Sequence, residues 1–293
     1  MSLSEKVEQA VAAQDWADAA ADVLENTAGS LLAGESPAAQ EVRDCLHGVW
    51  LGHPLHPVIT DVPIGAWTAA LALDAIDTIR WTDEMAPGAD ATIAVGLAGA
   101  LGAAVTGLND WRHTDGNARR TGVIHAMFNG SATLLYVASL IARRKGARAA
   151  GKGLSLLGYA ALMGGAYLGG HLVYGERIGV DHASGFELPE QFVAVLPDEE
   201  LAEGQPRRAD AKGTPVFLLR REGRIHALVD TCSHLGGPLS EGEIRDCSVV
   251  CPWHGSRFSL EDGRVLDGPS TYKQPCLETR VREGQIEVRA ASS

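Results

Sequence analysis

Apolar and charged positions alternate at helical spacing through residues 2–28, with Val7, Val11, Ala12 and Leu24 among the charges. Ser2 stands three residues before Glu5 as a capping box, and the stretch predicts a water-facing amphipathic helix. The pattern changes past residue 50. The runs Ala91–Leu108, Gly122–Ala142 and Gly153–Gly175 contain no charged residue, and a helix of about 20 apolar residues spans the hydrocarbon layer of a bilayer. A fourth run, Val62–Leu73, is followed by Asp74 and Asp77. It must finish at the interface or turn those carboxylates toward other helices. Small residues four apart, Gly165 and Gly169, Gly96 and Ala100, Gly99 and Ala103, permit close helix approach. A compact four-helix membrane bundle is expected. A water-soluble Ala/Gly-rich core would need charges on its outer faces, which these runs lack.

Residues 176–190 mix Gly, Asp, Glu and Pro as a linker would, and short β-like runs follow at Val193–Leu196, Val216–Leu219, Ile225–Val229 and Val249–Val250. Glu283-Gly284 predicts a tight hairpin turn between Thr279–Arg282 and Gln285–Arg289. The expected fold is therefore α+β in two domains. A soluble helical segment (1–50) precedes an all-α four-helix transmembrane domain (51–178), a linker (179–189) and an all-β domain (190–293).

The chain has 293 residues, enough for two cores. Its formal net charge of −12, with no dense Lys/Arg stripe, excludes nucleic acid as a partner. The start, Met1-Ser2-Leu3-Ser4-Glu5-Lys6, lacks a basic region followed by an apolar run, so no cleavable signal peptide is expected. The five cysteines, Cys45, Cys232, Cys247, Cys251 and Cys276, are an odd set without regular disulfide spacing. Cys247 and Cys276 read as buried small hydrophobes.

Chemistry concentrates in two short elements separated by sixteen residues, Cys232-Ser233-His234 and Cys251-Pro252-Trp253-His254. Each offers one thiolate and one imidazole, a donor set that suits a two-iron cluster. A structural zinc site would need all four on one tetrahedral ion. Gly236, Gly237 and Gly255 allow tight turns in which amide groups point at sulfur. Through CSHLGGPL at 232–239, CPWHGSRF at 251–258, Gly263 and the Gly268-Pro269 turn, residues 190–293 resemble the Rieske [2Fe-2S] domain. The resemblance implies a [2Fe-2S] cluster, with Cys232 and Cys251 on one iron and His234 and His254 on the other, and single-electron transfer. Gly237 and Trp253 occupy the positions where the respiratory subtype has a disulfide, so the domain resembles the ferredoxin and oxygenase type. Ser256 is placed to donate to a cluster sulfur, whereas Phe258 stands where the high-potential subtype often carries a Tyr hydroxyl, which implies an intermediate or low potential.

Residues 51–178 resemble a functionally uncharacterised bacterial four-helix membrane domain, through Gly52-His53-Pro54-Leu55-His56-Pro57 and Gly169-Gly170-His171-Leu172-Val173-Tyr174. Four crossings put both termini on one side of the cell membrane. That side would hold His53, His56, His113, His125 and His171 with Asp61, Asn109, Asp110 and Asn129. Costly intramembrane polar groups point to function. His56, His125 and His171 are candidates for a b-type haem, as two imidazoles at similar depth such as His56 or His125 with His171, or for a quinone pocket; anchoring and interhelix hydrogen bonding remain the alternative. Arg43, Arg112, Arg119, Arg120 and Arg177 on one side nearly balance Arg80, Arg143, Arg144, Lys145, Arg148 and Lys152 on the other, so the positive-inside rule leaves sidedness open.

These readings converge on a membrane-bound electron-transfer protein that exchanges single electrons with a redox partner protein and with a haem or quinone in the bundle. The alternative is a membrane oxygenase or desaturase with a separate iron held by two His and a carboxylate.

Overall fold

The computed structural model describes residues 1–32, 34 and 36–291 and divides the chain into two compact units. Ala33 and Glu35 of the expected first segment, and Ser292 and Ser293 of the expected β domain, lie outside the described residues. A helical unit comprises residues 1–35 and 55–178, and a β unit comprises 36–54 and 179–293. The first fifty residues are thus divided between the two units, and the stretch expected as a linker belongs to the second.

The helices are α1 (Leu3–Ala12), α2 (Trp16–Leu32), α3 (Pro37–His47), α4 (Leu55–Arg80), α5 (Ala86–Trp111), α6 (Gly116–Arg144) and α7 (Arg148–Tyr174), with α3 in the β unit. The capping box forms: the Glu5 amide donates to Ser2 Oγ at 3.2 Å and the Ser2 amide donates to Glu5 Oε2 at 2.6 Å. The single helix expected here is broken into α1 and α2. Arg120 of α6 donates to the Ala12 carbonyl and, at 2.8 and 2.6 Å, to both oxygens of Asp18. The chain turns around this guanidinium, and the Gln14 side chain closes the corner by donating to the Ala10 carbonyl and accepting from Trp16 Nε1.

Helices α4 to α7 are each long and apolar enough to cross a membrane, and only 17–28% of their most apolar windows is buried within the unit. Leu101, Leu134 and Leu157 are among the side chains left facing outward, an arrangement that hydrocarbon tolerates and water does not. Small residues carry the interior packing. A Cβ on Gly96 would fall 2.2 Å from Trp67 Nε1, and one on Gly99 would fall 2.9 Å from Pro63 Cδ.

The four helices form an internal repeat. The hairpins α4–α5 and α6–α7 make the two most extensive helix pairs. Trp67 of α4 stacks on Tyr136 of α6, with ring centroids 4.1 Å apart and planes at 15°. Asp74 meets Arg143, again 69 residues away. Gly158 receives Tyr136 as Gly96 receives Trp67. Equivalent positions of the two hairpins therefore face each other across an approximate two-fold axis.

Arg143 donates through both Nη1 and Nη2 to the buried Asp74, and Ser139, Ser155 and Asp90 also accept from it. Asp77 instead ends its helix, accepting the Met85 amide at 3.0 Å and the Thr82 hydroxyl at 3.1 Å. The two carboxylates thus satisfy both sequence expectations, one turned inward and one at the helix end. Arg143→Met strands a buried carboxylate and should destabilise the solubilised protein by about 3–5 kcal/mol. Adding Asp74→Leu should recover most of the loss in a thermal unfolding measurement in detergent.

The β unit contains β1 (Val193–Pro197), β2 (Arg207–Ala211), β3 (Thr214–Arg221), β4 (Arg224–Val229), β5 (Glu243–Arg245), β6 (Ser248–Val250), β7 (Arg257–Ser259), β8 (Val265–Asp267), β9 (Cys276–Arg282) and β10 (Gln285–Ala290). They form antiparallel sheets ordered β1-β10-β9-β4-β3-β2 and β5-β6-β7-β8. Alternate residues of β3 serve two cores, Val216 and Leu218 in one, Phe217 and Leu219 in the other, so the strand is buried on both faces. The predicted β9–β10 hairpin is present, with Gln285 paired to Arg282 and positive φ at Glu283 and Gly284. The expected linker is bonded in: Thr214 Oγ1 donates to the Glu187 carbonyl, the Ala290 amide donates to the Pro189 carbonyl, and Ala183 is a core residue.

Candidate metal centre

Strand β4 runs into the loop bearing Cys232 and His234, and the β6–β7 hairpin ends in the loop bearing Cys251 and His254. The two loops repeat one hydrogen-bonding scheme. The Cys232 amide donates to the Gly237 carbonyl at 2.8 Å and the Gly236 amide to the Cys232 carbonyl at 2.9 Å. The Cys251 amide donates to the Ser256 carbonyl at 2.8 Å and the Gly255 amide to the Cys251 carbonyl at 3.1 Å. Gly236 and Gly255 have φ of 84° and 79°, a left-handed conformation that a side chain would strain.

This turn aims amides at sulfur. His234 and Leu235 donate backbone N–H groups to the Cys232 sulfur, and Trp253 and His254 do the same for Cys251. The thiols are buried and hydrogen-bonded to each other. That mutual bond and burial push Cys232 well above its ordinary value. The bond from Cys232, reinforced by the two amides, brings Cys251 down to about 7. Both imidazoles are part-exposed at the rim of the loops, with ring centroids 5.1 Å apart and planes at 89°.

The four donors thus form a thiol pair inside and an imidazole pair outside, and among the described residues no three His, Cys, Asp or Glu side chains gather around one ion. This arrangement fits two metals better than one. With metal–nitrogen bonds of about 2.0–2.1 Å, two imidazoles on one tetrahedral metal have ring centres roughly 5 Å apart, which the observed 5.1 Å matches. A cradle for sulfur is also present, since a Cβ on Gly237 would lie 2.9 Å from Cys251 Sγ and from the Trp253 ring. Gly237 therefore faces Trp253 across the loops, and all five cysteines are free thiols.

Ser256, predicted as a donor, is fully buried, and its Oγ accepts the Ser270 amide at 2.9 Å, leaving its own proton to give. Phe258 lies in the core beneath the loops. Cys276 packs beside that core, but Cys247, expected to be buried, is exposed at the β5–β6 turn.

Several supporting residues carry no motif. Gln274 is completely buried; its Nε2 donates to the Val229 and Thr231 carbonyls and its Oε1 accepts the Ser233 amide. Ser233 Oγ donates to the Tyr272 carbonyl and lies 2.8 Å from Ser270 Oγ. Asp44, just before the end of α3, accepts the Gly268 amide at 2.8 Å beside the buried His47. Only the Pro275 that follows Gln274, marking a bend into β9, hinted at this bracing in the sequence.

In the helical unit, His56 and His125 come together, with ring centroids 6.4 Å apart. His171 does not join them: its Nε2 lies 3.8 Å from both Glu8 and Glu176.

Residues 191–278 match the family model of the Rieske [2Fe-2S] domain, and residues 52–182 match that of a predicted membrane protein domain, DUF2231. The 3-phenylpropionate/cinnamic acid dioxygenase ferredoxin subunit of Photorhabdus laumondii subsp. laumondii is 34% identical over 101 residues, 34% of this chain and 92% of the relative. The chain belongs to the Rieske [2Fe-2S] family. Ferredoxin CarAc of Metapseudomonas resinovorans is 30% identical to the Rieske portion over 98 residues, 33% of this chain and 92% of the relative. Apoptosis-inducing factor 3 of Homo sapiens is 30% identical over 118 residues, 40% of this chain. The match spans only 19% of that relative's length.

Gln274 braces the Rieske loop on both sides of Cys232. Gln274→Leu removes three hydrogen bonds to buried backbone groups and should cost roughly 2–4 kcal/mol. A fall in melting temperature and in iron bound per chain is the expected outcome.

Proposed function

We propose that this chain is a membrane-bound electron-transfer protein in which Cys232 and Cys251 hold one iron of a [2Fe-2S] cluster and His234 and His254 hold the other. The observation that carries this reading is the pairing of buried thiols with part-exposed imidazoles on two identically folded loops. When bound, the cluster supplies one-electron oxidation and reduction, at a potential raised by its neutral imidazole ligands. The chain's residues do the rest. Burial keeps water from the sulfurs, four backbone amides stabilise charge on them, and the imidazole edges give a partner protein its shortest approach. Relatives named as ferredoxin subunits support a reductase or an oxygenase-type acceptor as that partner.

The four apolar helices make the carrier multi-pass, with both termini on one side of the membrane, and a redox group in the bundle, haem or quinone, would be its second partner. The test is spectroscopic. Dithionite-reduced protein should give the low-average-g EPR signal of an imidazole-ligated [2Fe-2S] centre, and His254→Cys should shift or abolish it; an unreactive, EPR-silent preparation with a full complement of iron sinks the reading.

Ser256 sets part of the potential in this reading, because its hydroxyl proton is available to a cluster sulfur. Ser256→Ala should lower the midpoint potential in a redox titration, while Ser256→Thr should hold it near the parent value.

A further inference from the structure

We propose that His56 and His125 are the two axial ligands of a b-type haem on the internal two-fold axis of the four-helix domain. This deepens the reading of a redox group in the bundle, and it replaces the broader trio of histidines with one pair.

His56 and His125 occupy matching positions of the two hairpins, as do Trp67 and Tyr136, and Asp74 and Arg143, whose separation of 69 residues they share. The supporting contacts repeat as well. His56 Nδ1 donates to the Ala103 carbonyl at 2.9 Å, and His125 Nδ1 donates to the Gly165 carbonyl at 2.9 Å. One turn further along each partner helix a glycine receives the ring: a Cβ on Gly107 would lie 2.7 Å from His56 Cε1, and one on Gly169 would lie 3.1 Å from His125 Cε1. Ala103 and Gly107 of α5 thus correspond to Gly165 and Gly169 of α7. A ligand bridging equivalent imidazoles across a two-fold axis is best matched by a group that offers them equivalent faces, as haem iron does.

A backbone carbonyl can only accept, so both Nδ1 atoms carry the proton and both Nε2 atoms keep a lone pair. Imidazoles that ligate a metal are characteristically held in this way, one nitrogen donating to a carbonyl and the other on the metal. The Asn129 side-chain amide donates to the His125 carbonyl at 2.9 Å and also lies 3.2 Å from Nε2. That second contact is the one a metal bond would displace.

At about 2.0–2.1 Å per metal–nitrogen bond, two imidazoles on opposite faces of one metal have ring centres roughly 6.3 Å apart, against roughly 5 Å on a tetrahedral metal. The observed separation is 6.4 Å, with ring planes at 78°. The ring-centre separations, 5.1 Å in the β unit and 6.4 Å in the bundle, accommodate the tetrahedral and the trans arrangement respectively. His171 lacks these features, because its ring is engaged with Glu8, Glu176 and Ser4.

The test uses the full chain, expressed with added haem precursor and purified in detergent. A pyridine haemochrome assay should find about one haem per chain, and the reduced spectrum should carry the sharp visible bands of six-coordinate low-spin iron. His56→Ala and His125→Ala should each remove that spectrum, whereas His171→Ala should keep it. The Rieske EPR signal should persist in all three, which separates this site from the cluster and shows that the β unit of each variant has folded, while the recovery of bands on adding imidazole reports on the bundle. Added imidazole should restore the low-spin bands to His125→Gly. Absence of haem in the parent protein, a spectrum that survives both His56→Ala and His125→Ala, or a bound divalent metal in place of haem would each overturn the proposal. A missing EPR signal with haem intact would instead count against the cluster.

Discussion

Two thiols must be kept side by side away from water while their neighbouring imidazoles reach the surface, and the β unit is organised around that requirement. Each thiol gains two amide donors only if its loop reverses within four residues, which demands the left-handed glycine at 236 and at 255. Both loops are also braced from elsewhere in the chain. Gln274 ties one loop to the end of β4, Ser256 ties the other to the segment at Ser270, and Asp44 holds Gly268 from the far side of that segment. The chain leading to the site thus includes α3, a helix that lies outside the family match to residues 191–278.

The helical unit answers a different constraint. Inside hydrocarbon, apolar burial contributes little to helix association, so close fit and satisfied polar groups must hold the bundle together. Glycines on α5 and α7 let the rings of Trp67, Tyr136, His56 and His125 approach neighbouring backbones closely. A buried ion pair, Asp74 with Arg143, joins the two hairpins where a polar group without a partner would be intolerable. The equivalence of the hairpins makes these pairs converge on a common axis. A single arginine or a single aspartate at both equivalent positions would place like charges together, so the repeat has diverged there into complementary partners.

Much of this was legible in the residues. Uncharged runs of sufficient length mark helices for hydrocarbon, the capping box and the Glu283-Gly284 turn specify local geometry, and the two Cys/His elements with their glycines announce a two-metal donor set. These features are local: each depends on hydrogen bonds or solvent preferences within a few residues. The break between α1 and α2 was not legible, because it is made by Arg120, which lies far along the chain. Gln274 was silent for a similar reason, since glutamine is ordinarily a surface residue and its burial follows from the loop packed over it.

By itself the sequence determined which segments prefer hydrocarbon, where the β strands turn, and which side chains offer metal donors, since periodicity, turn chemistry and donor type are properties of short stretches. The tertiary structure alone decided which histidines meet. His171 shares with His56 and His125 its residue type and its place in an apolar helix, yet it faces carboxylates while the other two face each other. Only the packing of one hairpin on its repeat sets that difference, because distance across a helix bundle is fixed by which faces the helices bury and not by position along the chain.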